Sequence, residues 1–177
     1  MLVATGTLRQ IDRALVDLVQ SVRAPWLDVF ASAVGILGQA EVAGGIALGV
    51  AVARLWRHRP DAWIPLLLVA VAGVEIALKT LVAQPIPPKE LSRTVELVPF
   101  AHVAFAGAFP SGHVARTAFL AGVARVPSWL AVAAVALMMA TRVYLAEHWP
   151  SDVLGGFLLG VLVAQLASVA ERRLRRH

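Results

Sequence analysis

The chain has 177 residues and a formal net charge of +5, with 59% hydrophobic residues, 15% charged residues and a mean hydropathy of +0.74. A soluble domain carries about 25% charged residues, so this composition excludes an ordinary water-soluble domain while leaving length for one compact unit. The absence of cysteine excludes thiol chemistry and leaves the redox compartment unreadable.

The opening residues, MLVATGTLRQIDR, lack a basic region followed by an apolar core and do not read as a signal peptide. Residues 8–24 are amphipathic. Leu8, Ile11, Leu15, Leu18 and Val22 recur at helical spacing, while Arg9, Asp12, Arg13 and Asp17 take other faces. That pattern predicts a helix lying on a membrane surface. A first span falls within 26–56, and its length and glycines allow a bend or break near Gly38. A second is expected from about Ala62 to Ala83, followed by a long loop at 84–110 containing Pro85, Pro87, Pro88 and Pro99. A third runs from about Ser111 to Arg125. Pro127 opens the turn into a fourth, which ends near Tyr144, and Pro150 opens a fifth that stops before ERRLRRH at 171–177. Several of these runs approach the ~20 residues that cross a bilayer. The expected architecture is all-α: a polytopic transmembrane helical bundle of about five spans plus the N-terminal surface helix. It is read as one domain, with residues 1–25 interfacial, 26–170 the transmembrane core and 171–177 a basic tail.

The basic residues cluster at RLWRHRP (54–60) and ERRLRRH (171–177), flanking apolar runs. They mark a cytoplasmic side and not a nucleic-acid surface. Five spans then place 54–61, 124–128 and 171–177 on that side. The N-terminal helix, the 84–110 loop and the 145–150 turn lie on the other.

Ionisable residues within spans are costly and mark function by default. They are Glu41, Glu75, Lys79, His113, Arg116, Arg142, His148 and Asp152. Topology carries Lys79, His113, Arg142 with His148, and Asp152 to one face. The third and fourth spans run about 15 residues down and 16 back, roughly 22–25 Å each way, which returns Arg142 to the level of His113. Ser111 and Gly112 open a helix whose free N–H groups favour an anion. Arg142 and Lys79 add positive charge suited to phosphoryl oxygens. His113 and His148 can divide the roles of nucleophile and general acid. Asp152, four residues after His148, can fix its tautomer. The donor types point to phosphoryl transfer without a metal or other cofactor. There is no GxxxxGK[ST] loop, and a two-metal site needs more carboxylates and histidines than this face supplies.

These residues carry a resemblance. The type 2 phosphatidic acid phosphatase superfamily of membrane-integrated lipid phosphatases has the signature KxxxxxxRP, PSGH and SRxxxxxHxxxD. Pro110-Ser111-Gly112-His113 matches the second part, and TRVYLAEHWPSD (141–152) matches the third with Thr141 for serine. Both occur in order at one face, and the resemblance covers about residues 26–170. It implies that His148 attacks phosphorus, Asp152 orients it, and His113 protonates the leaving oxygen and then activates water. It also implies that Lys79, Ser111, Gly112 and Arg142 hold the phosphoryl oxygens, with no divalent metal. The first part is half present: Ile86 stands where the family has arginine, followed by Pro87. Arg116, one turn after His113, or Arg93 in the loop could supply the missing clamp. Alternatively, Arg116 pairs inside the bundle with Glu75 or Glu41, and Glu75 pairs with Lys79 at i, i+4.

The resemblance implies an integral membrane lipid phosphatase of a bacterial inner membrane, acting on the extracytoplasmic side. Its partners are the bilayer and a lipid phosphate: a polyprenyl diphosphate such as undecaprenyl diphosphate, phosphatidylglycerophosphate, phosphatidic acid, or a prenyl-phospho-sugar. Two alternatives are a phosphotransferase passing the group to an acceptor lipid and a lipid-binding protein with a degraded site. His58 and His102 are expected at the surface. Trp26, Trp56, Trp63, Trp129 and Trp149 are expected in an aromatic belt.

Overall fold

A computed structural model describes residues 6–99 and 107–174, and every regular element among them is helical. The elements are α1 (Gly6–Val19), α2 (Pro25–Ile36), α3 (Ala40–Trp56), α4 (Leu68–Leu81), α5 (Gly112–Val123), α6 (Ser128–Tyr144) and α7 (Pro150–Leu174). Short 3-10 turns occur at Ile64–Leu67 and Lys89–Leu91. By length and composition, Ile64–Leu81 and Pro150–Arg173 can each cross a membrane. The α2 and α3 helices make a third span if taken together, bent by 48° at the intervening turn. The α6 helix is apolar but shorter.

Helix boundaries follow local chemistry. Pro25 sits in the first turn of α2, where its fixed φ suits a helix start and its missing N–H costs nothing. The second span begins not at Ala62 but as the 3-10 turn carrying Pro65, which then widens into α4. The predicted 84–110 loop contains a further helical turn at Lys89–Leu91. The N-terminal helix ends at Val19, short of 24, because Gln20 turns inward. Its Nε2 donates to the carbonyls of Leu91 at 2.9 Å and Tyr144 at 2.8 Å.

At the centre lies α5, with Val114, Ala115, Ala118, Phe119, Leu120 and Val123 buried. Its closest neighbour is α7. A Cβ on Gly156 would strike the Ser111 carbonyl, and one on Gly160 would strike the Ala115 carbonyl. Small residues four apart let the two backbones touch, which in lipid replaces the hydrophobic drive between helices. Ala43, Ala47 and Ala51 give α3 a similar small stripe toward the bundle.

The polarity of the bundle is inverted. Val69, Leu158, Leu162 and Leu166 face outward, whereas Arg54, Asp61, Glu75, Lys79, Arg116, Arg142 and Asp152 are buried. Asp12 and Val16 of α1, and Gln20 just past its end, pack inward while Ile11, Leu15 and Leu18 are exposed. Trp26, Trp56, Trp63 and Trp129 are exposed as a belt requires, but Trp149 is not. It is buried, and its indole N–H donates to the Pro85 carbonyl at 2.8 Å.

The basic residues assigned to one membrane side turn out to be partly structural. Asp61, 1% exposed at its side chain, pairs with Arg54 at 3.2 Å, Arg59 at 3.0 Å and Arg125 at 3.1 Å. Arg125 also pairs with Glu171 on α7. Asp61 thus ties α3 to the α5–α6 turn, and Arg125 carries the link on to α7 through Glu171. Burial would raise the Asp61 carboxyl, but the hydrogen bond from Arg59 and the nearby Arg54 and Arg59 charges outweigh it and hold it below the ordinary value. The resulting stabilisation is complete above the unfolded value, about 3.9, and is lost as pH falls through the lower folded value. Replacing Asp61 by Asn should destabilise the fold by about 3–5 kcal/mol at neutral pH, the usual effect of removing one partner of a buried ion pair. It should also flatten the acid limb of stability. Thermal unfolding in detergent across a pH series measures both effects.

Candidate active site

The PSGH segment enters α5 with Ser111 as an extended N-cap. Its backbone N–H donates to the Asp152 carbonyl at 2.9 Å, locking the start of α5 to the first turn of α7. Asp152 is fully buried. Its Oδ2 accepts from the Trp149 N–H at 2.9 Å and lies 3.5 Å from His148 Nδ1.

The α7 start is fixed from outside as well. Asp12 on α1 accepts from the Ser151 N–H at 2.9 Å and from the Ser151 hydroxyl at 2.6 Å, and Gln84 Nε2 donates to the same hydroxyl oxygen at 2.9 Å. Residues far apart in sequence therefore hold the turn that presents His148.

His113 lies over the bend between α2 and α3. A Cβ on Gly38 would come within 2.9 Å of the His113 Cβ, so glycine is what lets the imidazole sit there. The Arg142 guanidinium packs on Gly35 near the same bend, and the Ser111 N–H to Asp152 carbonyl bond sets the start of α5 beside His148 and Asp152. The structure thus brings His113, His148, Asp152, Lys79, Ser111, Gly112 and Arg142 into one region. Lys79 Nζ reaches the Ala108 carbonyl at 3.5 Å and the Glu75 carboxylate at 4.0 Å.

Several buried polar atoms here have no hydrogen-bond partner among the described residues: Ser111 Oγ, His113 Nε2, Arg142 Nε, His148 Nδ1 and Asp152 Oδ1. Gln84 Oε1 and Thr117 Oγ1 share that condition. An unsatisfied buried group costs about 1–3 kcal/mol, and five of these seven atoms belong to residues of the two motifs.

Arg116 is placed beneath the helix start. Its Nη1 pairs with Glu75 Oε2 at 2.7 Å, and its Nε donates to the Gly38 carbonyl at 2.8 Å. The Glu75 carboxylate lies so close to Gly112 that a Cβ there would collide with it. Arg93 forms an ion pair with Asp28 at 2.7 Å, and Ile86 is exposed at the surface. Thr141, in place of the family serine, donates its hydroxyl to the Met138 carbonyl at 3.0 Å. His58 is exposed, and His102 lies outside the described residues.

Sequence reasoning missed Glu147. It pairs with Arg142 Nη1, and its other oxygen accepts from the Thr94 hydroxyl at 2.7 Å. The signal was available: an acid beside the motif histidine, five residues after the motif arginine. A cleft of about 290 Å³ opens here, between α2 and residues 94–98, against Arg142 and Glu147. The α6 end makes this geometry. The Glu147 N–H returns to the Arg142 carbonyl at 3.2 Å and the Ala146 N–H to the Val143 carbonyl at 3.0 Å, a Schellman turn. Ala146 takes the left-handed position at φ 50°.

A model of the PAP2 superfamily matches residues 61–176. The chain belongs to the PAP2 superfamily. It is 24% identical to phosphatidylglycerophosphatase B of Bacillus subtilis, over 97% of this chain and 89% of that protein. Among solved structures, it is similar to the transmembrane PAP2-type phosphatidylglycerolphosphate phosphatase from Bacillus subtilis, with a TM-score of 0.74 and 23% identity. That match covers 97% of this chain and 90% of the other. It is also similar to Aquifex aeolicus LpxE, with a TM-score of 0.68 and 25% identity over 87% of this chain and 92% of the other. The architecture of this PAP2 protein is thus shared along nearly its whole length, including α1.

Two outcomes follow from the PAP2 core as built. Arg116→Ala should destabilise by about 3–5 kcal/mol by stranding Glu75, and the double change Glu75→Gln with Arg116→Met should cost less. Ala146→Gly should stabilise by about 1 kcal/mol by relieving a left-handed alanine. Detergent thermal denaturation reads both.

Proposed function

We propose that the protein is a membrane lipid phosphatase that hydrolyses a phosphate monoester or diphosphate through a phosphohistidine. The observation that carries the reading is the set of buried, unpartnered polar atoms on Ser111, His113, Arg142, His148 and Asp152, all of them residues of the two matched motifs. In this reading His148 Nδ1 faces Asp152, which leaves Nε2 to attack phosphorus. A P–N bond forms as the P–O bond to the leaving group breaks, and His113 gives that oxygen its proton. Water then attacks phosphorus, His113 takes a proton from it, and the P–N bond breaks to release phosphate. The fixed positive charge of Lys79 and Arg142, with the N–H groups of Ser111 and Gly112, stabilises the charge on the transferring group. Arg116 is held by Glu75 and Gly38 and contributes its field more than a direct contact. No step requires a metal.

Phosphatidylglycerophosphate is the first substrate to try, because the Bacillus subtilis relative named for that activity aligns along nearly the whole chain. Undecaprenyl diphosphate and phosphatidic acid follow. The exposed apolar residues of α1 support its lying on the membrane surface beside the site. The arginine-rich end of the bundle supports a bacterial cytoplasmic membrane with the site facing outward. The exposed Ile86 favours one competing reading, a lipid-binding protein whose site has lost activity. Purified protein in detergent should release inorganic phosphate from at least one of these lipids, with chelator present, and His148→Ala should reduce this by about 10³-fold or more. Release that survives His148→Ala overturns the phosphohistidine. Release abolished by chelator overturns metal independence. No release from any lipid favours the competing reading.

A further inference from the structure

Arg142 is the most constrained cation of the site. Its side chain is 2% exposed. Its Nη1 pairs with Glu147, and its Nη2 donates to the Ala31 carbonyl at 3.2 Å. The guanidinium lies on Gly35, where any Cβ would collide with it. The remaining nitrogen, Nε, is buried without a partner. Three contacts therefore hold one end of the fork and leave one nitrogen available.

Glu147 is itself held. The Schellman turn fixes its backbone, and the Thr94 hydroxyl donates to Oε1 at 2.7 Å. Thr94 is anchored in turn, because the Val95 N–H donates to Ser32 Oγ at 2.9 Å and Arg93 pairs with Asp28, both on α2. A chain of contacts thus runs from α2 through residues 93–95 to Glu147 and back to Arg142.

We propose that Glu147 is a positioning residue: with Thr94 behind it, it pins Arg142 so that the Nε edge of the guanidinium is presented to the substrate phosphate. This rests on the reading that Arg142 holds phosphoryl oxygens. A long side chain ordered only when substrate arrives subtracts its lost rotamer freedom from binding. A guanidinium pinned in the folded protein avoids that loss and meets phosphate with a preorganised Nε–H donor. The need is greater here, because the family arginine is replaced by Ile86. Glu147 also neutralises Arg142 when no phosphate is present, which a buried guanidinium requires.

The opposite arrangement, Glu147 competing with phosphate for Arg142, predicts the reverse sign. The probes are inorganic phosphate and orthovanadate as competitive inhibitors of phosphatidylglycerophosphate or phosphatidic acid hydrolysis in detergent. Under positioning, Glu147→Ala raises both inhibition constants and lowers kcat/KM by about ten- to a hundredfold. Glu147→Gln, which keeps a hydrogen-bonding side chain, restores part of the loss, and Thr94→Val weakens inhibition in the same direction by less. In an Arg142→Lys background Glu147→Ala adds little, since it acts through the arginine. If Glu147→Ala fails to fold, the Gln and Thr94 variants and the Arg142→Lys background carry the test. Inhibition constants that fall or stay level in the Glu147 variants, while Arg142→Lys weakens inhibition, overturn the proposal and leave the role of Arg142 standing. If Arg142→Lys leaves inhibition unchanged, the phosphate-holding reading itself fails, and the proposal with it.

Discussion

A charge buried without a partner costs several kcal/mol, and that constraint orders the whole molecule. The outside of the bundle is apolar, so its charges are inside, and nearly every one can be traced to a counter-charge on another element. Asp61 collects three arginines at one end. Glu75 bridges Arg116 and Lys79 beneath the start of α5, and Glu147 meets Arg142 at the end of α6. Arg93 closes onto Asp28 across the loop. The Arg93–Asp28, Arg116–Glu75 and Arg125–Asp61 pairs join segments distant in sequence, so at those points neutralising charge and assembling the fold are the same event; the Arg142–Glu147, Lys79–Glu75 and Arg59–Asp61 pairs are local.

The second constraint is close backbone approach between α5 and α7. Gly156 and Gly160 let α7 lie on the first turns of α5, and the Ser111 N–H to Asp152 carbonyl bond registers them. That register brings the PSGH helix start beside His148 and Asp152. The placement of the motif residues thus depends on a glycine contact between two helix backbones. The same logic applies to α2, whose Gly35 and Gly38 admit the Arg142 guanidinium and the His113 ring.

In the proposed reading, the difference between fully partnered polar groups and those with an unpartnered atom separates scaffold from site. Asp61 and Arg116 have partners on several sides and serve the scaffold. Ser111, His113, Arg142, His148 and Asp152 each retain a buried atom without a hydrogen-bond partner among the described residues, which suits the proposed binding of substrate there. Arg142 belongs to both groups: its Nη nitrogens are anchored and its Nε is not. Glu147 and Thr94 thereby link a loop with no motif of its own to the motif arginine.

The sequence by itself determined the all-helical class, the helix boundaries from Ser111 onward to within a few residues, and the motif residues. Those features are local: apolar runs, proline and glycine punctuation, and ordered short motifs survive in one dimension. It also held both alternatives for Arg116. Choosing the pair with Glu75 required knowing which faces of α4 and α5 meet. The inward turn of Gln20, the burial of Trp149, the convergence of arginines on Asp61 and the pinning of Arg142 by Glu147 were decided only by tertiary structure. Most rest on contacts between segments whose separation along the chain carries no periodic or compositional trace; the Arg142–Glu147 pair is local, and what packing adds there is Thr94 behind Glu147. A buried charge takes its partner from whatever the packing brings near.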